Sequence, residues 1–392
     1  MYGKIGSETR AHSRDYNFRL VLCALLLSVT GVLVVHSATA NEVTQSLVST
    51  TVKQILGVGA GLVMMVVASL VDYHKLLKYS WILYIIVILL LIYVRFFTRA
   101  IYGAHRWIYF PLLGTIQPSE FSKPILLLFM AFVVFLMKDR ISRIQSLLIF
   151  FAAASPVVAL VLIEPDLSTT IVLVIMLVAM LFLADISYKW VVGVMIAMVP
   201  VLVVLLVAVY QPEQTLLHTV LEEHQVERIN AYFFPDQYPR LVWQQQTSVM
   251  AIGSGGLFGK GLNTSSLESV KNGNFLSEEQ SDFIFAVIGE ELGFIGCVLI
   301  LTVYAVLIFE CFRTAKKAND VAGRVIAGGA GAILGFQMLI NTGVALLLIP
   351  NTGIPLPFLS AGMSSLFSTF LLIGLVLNVG LYGRLERRVF FK

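Results

Sequence analysis

The chain has 392 residues, of which 27 are Lys or Arg and 23 Asp or Glu, for a formal net charge of +4. Charged residues make up 13 % and apolar ones 58 %, with a mean hydropathy of +0.88, whereas soluble domains run near ~25 % charged. So apolar a chain cannot cover itself in polar surface, and so small and dispersed a charge excludes nucleic acid as a partner. The composition is that of an all-α polytopic membrane protein.

A helix needs ~20 apolar residues to cross a ~30 Å bilayer core. In chain order, 20–37 and 54–71 are charge-free windows of that kind, and 79–94 becomes long enough when Lys78 and Arg95 snorkel to the interfaces. The window 119–137 crosses only with Glu120 and Lys123 at membrane depth. Windows 144–163, 167–184 and 190–212 follow, and 283–309 carries Glu290 and Glu291. No charge occurs from Val325 to Gly383, a stretch that Pro350, Pro355 and Pro357 divide in two. Ten transmembrane helices are expected, with both termini on one side. Eighteen of the 27 Lys and Arg residues fall on that side, which makes it cytoplasmic. The basic start, the first apolar run and Ala38-Thr39-Ala40 imitate a cleavable signal. The run is longer than a typical signal core and nine spans follow, so an uncleaved first helix is expected.

The resulting organisation is one integral membrane unit over residues 1–392. It has a cytoplasmic N-terminus (1–19), a large extracellular loop (211–281) and a cytoplasmic C-terminus (384–392). Tyr232, Phe233, Phe234, Tyr238, Trp243 and Phe258 imply that the loop packs on something, and glycine-rich Ile252–Gly261 suits a re-entrant or cavity-lining element. Cys23, Cys297 and Cys311 sit in apolar runs and read as small hydrophobes without a disulfide framework. There is no internal repeat, which argues against an inverted-repeat transporter.

Gly253–Gly261 (GSGGLFGKG) fails as a phosphate loop, because Ser254 stands where the first glycine belongs and Gly261 follows Lys260 in place of Ser or Thr. No H-E-x-x-H occurs. Ionisable groups at membrane depth are better guides. Glu120 and Lys123, three apart, share a helix face and either neutralise each other structurally or serve a ligand. Asp166 heads Leu167-Ser168-Thr169, so helix capping competes with a functional role. Asp282 opens the eighth span, with Glu290 two turns further on the same face. The outer cations are sparse: Lys53, Arg95, Arg99, Arg106, Lys123, Arg228, Arg240, Lys260 and Lys271. Cations and carboxylates at an outer-leaflet cavity suit a lipid with an anionic headgroup, such as a diphosphate-linked sugar. These features alone do not separate an enzyme from a flippase.

Five segments, in order, resemble the signatures of the SEDS family (RodA, FtsW, SpoVE): Gly103–Pro124 (GAHRWIYFPLLGTIQPSEFSKP), Glu164–Thr169 (EPDLST), Gln246–Gly261 (QTSVMAIGSGGLFGKG), Ser281–Gly293 (SDFIFAVIGEELG) and Thr352–Ser365 (TGIPLPFLSAGMSS). The resemblance implies ten helices, a large external loop between helices seven and eight, and polymerisation of lipid II at the outer face of the bacterial cytoplasmic membrane. It puts the essential aspartate at Asp282 as catalytic residue and the family's other charged motif residues at Arg106, Glu120, Lys123 and Asp166; these four, with Lys260 of the outer loop, are the expected substrate-binding residues. Ala361 and Met363 depart from the tyrosine and glycine the family commonly carries there. A diphosphate is a good leaving group, so one base to deprotonate the attacking 4-hydroxyl suffices, with cations stabilising the departing charge and inversion at the sugar. A divalent cation, Mg or Mn, is the only cofactor expected; no organic cofactor is. The short N-terminus leans toward a RodA-like elongation polymerase over a division-specific one.

No S-x-x-K motif lies in an external segment, so cross-linking is expected in trans; the resemblance implies a class B penicillin-binding protein, bound laterally through its single transmembrane helix, as the partner. Gly293, Gly296, Gly328, Gly329 and Gly331 mark helices eight and nine as its docking surface, unless they serve packing within the bundle. A lipid II flippase and a non-catalytic scaffold for the partner stay open as alternatives.

Overall fold

The computed structural model describes residues 16–40, 48–98, 105–110, 114–137, 144–184, 186, 188–211, 214–264 and 280–382. Most of the expected N-terminal tail, the C-terminal tail, and Arg99 and Lys271 among the outer cations lie outside the described residues. Seven helices come first: α1 (Phe18–Ala38), α2 (Thr50–Leu70), α3 (Tyr73–Phe97), α4 (Pro118–Met137), α5 (Ile144–Ile163), α6 (Leu167–Leu183) and α7 (Tyr188–Val209). A small hairpin, β1 (Ile108–Phe110) and β2 (Gly114–Ile116), precedes α4, with Tyr109 opposite Thr115. The loop after α7 carries α8 (Thr215–Val220), α9 (Glu223–Phe233) and α10 (Pro239–Ser254). Then come α11 (Ile284–Lys317), α12 (Val321–Ala345) and α13 (Met363–Tyr382).

Among the described residues, nine helices are long and apolar enough to cross a membrane, and α6, the expected sixth span, is a shorter apolar helix of 17 residues. Its start is set by Asp166, whose carboxylate accepts from the Thr169 amide and caps the first turn. Ser49 and Asp320 cap α2 and α12 in the same way. Cys23, Cys297 and Cys311 are free and buried.

Burial separates the layers. The most apolar windows of α13 and α12 are 83 % and 72 % buried, against 12 % in α7, so α12 and α13 form the centre and α7 lies at the lipid-facing periphery. The central helices approach closely because glycines carry no Cβ. A Cβ at Gly374 would meet the Met65 carbonyl at 2.8 Å, and one at Gly61 would run into the Phe370 ring.

The same geometry shows what three of the glycines expected to mark a docking surface on helices eight and nine pack against. A Cβ at Gly328 or Gly329 would collide with Leu183 or Leu127, and one at Gly331 would meet Cys311 at 3.0 Å. Those glycines are consumed by packing inside the bundle. Gly293 plays another part, because at φ 66° and ψ −168° it breaks α11. The break orphans backbone groups, and Gly255–Gly261 satisfies them. The amides of Lys260 and Gly261 donate to the carbonyls of Glu290 and Glu291 at 2.9 and 3.0 Å. In return Phe294 and Ile295 donate to Gly256 and Leu257 at 2.9 and 3.2 Å. The glycine-rich stretch is therefore a ladder docked on a broken helix.

Candidate functional site

Asp282 sits one residue before the cap of α11, on a turn held from three directions. The Asn341 side-chain amide of α12 donates to the carbonyls of Asp282 (2.9 Å) and Ile354 (2.8 Å). Ser360 donates to the Ser281 carbonyl at 2.5 Å, and the Ala361 amide donates to the Gln280 carbonyl at 2.7 Å. Because Ala361 acts through its main chain, its departure from the family's tyrosine leaves this contact in place.

Gly353 lies against the Asp282 carboxylate. Its φ is +71°, and a Cβ there would stand 3.1 Å from Arg228 Nη1 and 3.3 Å from Asp282 Oδ2. A guanidinium from α9 and the carboxylate from the start of α11 thus both lie against one glycine, and any larger residue there would press on both. The neighbouring Thr352 carbonyl accepts from Ser168 at the start of α6, which ties this turn to the Glu164-Pro165-Asp166 turn.

Arg106 precedes the hairpin and reaches that same turn. Its Nε donates to the Glu164 carbonyl at 2.9 Å and its Nη2 to the Pro165 carbonyl. Gln225 also donates to the Pro165 carbonyl, at 2.5 Å. Burial holds the Arg106 pKa below its ordinary value; Asp166 opposes the shift and Arg228 adds to it. Beside this clamp opens a cavity of about 640 Å3, lined among others by Arg95, His218, Glu222 and Gln225.

The two carboxylates of the turn differ in kind. Asp166 is satisfied: besides capping α6, it accepts from Gln117 at 2.8 Å and Ser119 at 2.9 Å. Glu164 is fully buried, and among the described residues neither carboxyl oxygen has a hydrogen-bond partner. Burial, reinforced by the Asp166 charge, pushes its pKa up to about 8 against the pull of Arg106 and Arg95.

One turn into α4, Lys123 Nζ and Glu120 Oε2 pair at 2.6 Å, their side chains 2 % and 6 % exposed. Ser368 of α13 donates to the Glu120 carbonyl at 2.8 Å. Lys260 has a different neighbourhood: it pairs with Glu290 at 2.7 Å, ~12 Å along α11 from Asp282 at 1.5 Å per residue. The structure thus gathers Arg106, Asp166 and Asp282 through shared turns, sets the Glu120–Lys123 pair just beneath Asp166, and leaves Lys260 at the helix break. Reading the sequence treated Arg228 as one outer cation among nine and gave Asn341, Gln225 and Gly353 no place at the site. Nothing local marks Arg228; the carboxylate it flanks is 54 residues downstream.

Among the described residues no three His, Cys, Asp or Glu side chains converge to hold a metal ion. With Asp166 engaged by donors and Glu164 sealed from solvent, the donor set does not fit a Mg or Mn cage built from protein alone.

The sequence model of the FtsW, RodA and SpoVE cell cycle proteins matches residues 18–384. The chain belongs to this family. It is 36 % identical over 309 residues to the probable peptidoglycan glycosyltransferase FtsW of Nitrosomonas europaea, covering 77 % of this chain and 75 % of that one. The crystal structure of the rod shape determining protein RodA of Thermus thermophilus superposes with a TM-score of 0.67 at 26 % identity, covering 95 % of this chain and 98 % of that one. A chain of a peptidoglycan synthase complex that coordinates polymerization and crosslinking superposes at 0.74, also at 26 % identity, covering 95 % and 99 %. Family membership and the nine apolar helices make this a multi-pass integral protein of the cytoplasmic membrane.

Proposed function

We propose that this protein is a peptidoglycan glycosyltransferase that polymerises lipid II into glycan strands at the outer face of the cytoplasmic membrane, during cell elongation or division. Relatives carry that activity in their names, and the observation that bears the reading is that the Asp282 carboxylate and the Arg228 guanidinium both lie against Gly353. Asp282 takes the proton from the attacking 4-hydroxyl as the glycosidic bond forms and the bond to the diphosphate breaks. A single base with no covalent partner gives inversion. Arg228 and Arg106 stabilise the charge growing on the departing diphosphate. Lys123, paired with Glu120 beneath them, adds to the same field. Lys260 holds Glu290 at the helix break, away from the reacting groups. No step is assigned to a divalent cation.

The topology that goes with this reading has ten spans, α6 included, with both termini cytoplasmic and the α7–α11 loop outside. Crosslinking is supplied in trans by a class B penicillin-binding protein, as the likeness to a peptidoglycan synthase complex supports. The test is glycan polymerisation from lipid II by purified protein in detergent, where translocation contributes nothing to the readout. Wild-type product that vanishes in Asp282→Asn sustains the proposal. No product from wild type together with its partner favours a flippase, and full complementation by Asp282→Ala in cells favours a scaffold.

A further inference from the structure

A second polar cavity, of about 350 Å3, lies at the other end of the bundle, between the start of α1, the last turns of α11 and the end of α13. Asp282 stands just before α11 and Glu310 near its far end; at 1.5 Å per residue this puts the cavity ~40 Å from Asp282 along the helix. Glu310 is 2 % exposed and organises the cavity. One carboxyl oxygen accepts from Arg19 at 3.1 Å and Arg313 at 3.0 Å, and the other from Asn17 at 2.9 Å. Each guanidinium commits its Nη1 to that carboxylate, while the side chains of Arg19 and Arg313 remain 69 % and 41 % exposed. A guanidinium has five N–H donors in a planar fork, so both keep donors directed away from Glu310. Lys317 lines the same space. Among the described residues, three cations against one carboxylate leave the cavity positive.

We propose that this cavity binds the phosphodiester headgroup of an anionic membrane lipid. Two observations favour a lipid over a soluble anion. Apolar surface adjoins it: Phe18 lines the cavity and is exposed, and Phe309 and Phe312, next to Glu310 and Arg313 in α11, are exposed as well, so acyl chains find surface near the headgroup site. The charge bias of the sequence orients this end toward the cytoplasmic leaflet, whose anionic lipids are drawn to basic pockets between membrane helices. The inference does not rest on the glycosyltransferase reading.

The experiment is native mass spectrometry of the full-length protein in detergent, supplied with equal amounts of phosphatidylglycerol and phosphatidylcholine. Wild type is expected to retain phosphatidylglycerol preferentially, and Lys317→Gln combined with Arg313→Gln to reduce that preference about tenfold. Because Arg313→Gln strips a partner from buried Glu310, Lys317→Gln alone serves as the second variant; it leaves every partner of the carboxylate in place and removes one cation, and a smaller loss in the same direction is expected. An unchanged preference in both variants overturns the proposal. Complete displacement of the lipid by millimolar inorganic phosphate also overturns it, since that marks a soluble-anion site.

Discussion

At the scale of single residues, three side chains at the outer cluster carry separable expectations. Asp282→Asn keeps the size and the main-chain contacts of the turn, so folding and insertion persist while polymerisation falls by ~10²–10⁴-fold, the usual contribution of a general base. Near wild-type turnover from the purified Asp282→Asn variant defeats the assignment. Gly353→Ala acts on the same chemistry from the other side. The methyl group comes within 3.1 Å of Arg228 Nη1 and 3.3 Å of Asp282 Oδ2, and φ +71° costs an alanine ~1–2 kcal/mol. Activity should drop at least as far as stability, read as initial rate and melting temperature on one preparation. Glu164 predicts a pH dependence. Its folded pKa of about 8 lies above the unfolded carboxyl value of 4.5, so the folded state holds a proton the unfolded state releases. The associated stability is full below the unfolded value and is lost as pH rises through about 8, at ~1.4 kcal/mol per pH unit within that window. Glu164→Gln should flatten that decline in melting temperature; an identical slope in the variant would falsify the buried-acid reading.

At the scale of elements, the charges at membrane depth behave as structure first. Removing one member of a buried pair costs ~3–5 kcal/mol because it strands the other, so Lys123→Ala should lose both expression and activity. The Glu120→Ala/Lys123→Ala double variant should regain expression. If it also regains polymerisation, the pair is structural alone; expression without activity assigns Lys123 to the diphosphate field as well. The broken helix α11 makes a second element-scale case. Gly293 occupies a conformation closed to other residues, and a Cβ there would lie 2.8 Å from the Leu257 carbonyl. Gly293→Ala should detach Gly255–Gly261 from α11, raising protease sensitivity in the loop and lowering activity while the protein still inserts.

For the whole molecule, the buried centre decides what a larger residue at Gly328 does. Leucine at Gly328 drives into Leu183, and overpacking of this kind typically costs ~1–3 kcal/mol. Gly328→Leu should therefore lower the melting temperature of the protein alone. Lost co-purification with the class B transpeptidase at unchanged melting temperature would return α12 to the partner surface.

Composition and the spacing of charges determined much of this protein on their own. Its membrane class, most span positions, the division of 325–383 by its prolines, and the standing of Asp282 at the mouth of a span all follow from local sequence. Each depends on the energy of burying charge or breaking a helix within one segment, and that energy is legible in a window of ~20 residues. Which groups face each other was decided by tertiary structure alone. Arg228 and Asp282 come together at Gly353, 71 residues beyond Asp282, where both side chains lie against the same glycine. Asp166 becomes a satisfied cap, whereas Glu164, two residues away, has no hydrogen-bond partner among the described residues. The glycines of α12 turn inward because α13 and α12 hold the centre of the bundle, and a glycine's small volume signals a close approach without naming what approaches. Contacts between distant segments depend on how the helices are arranged, and no window of sequence contains that arrangement.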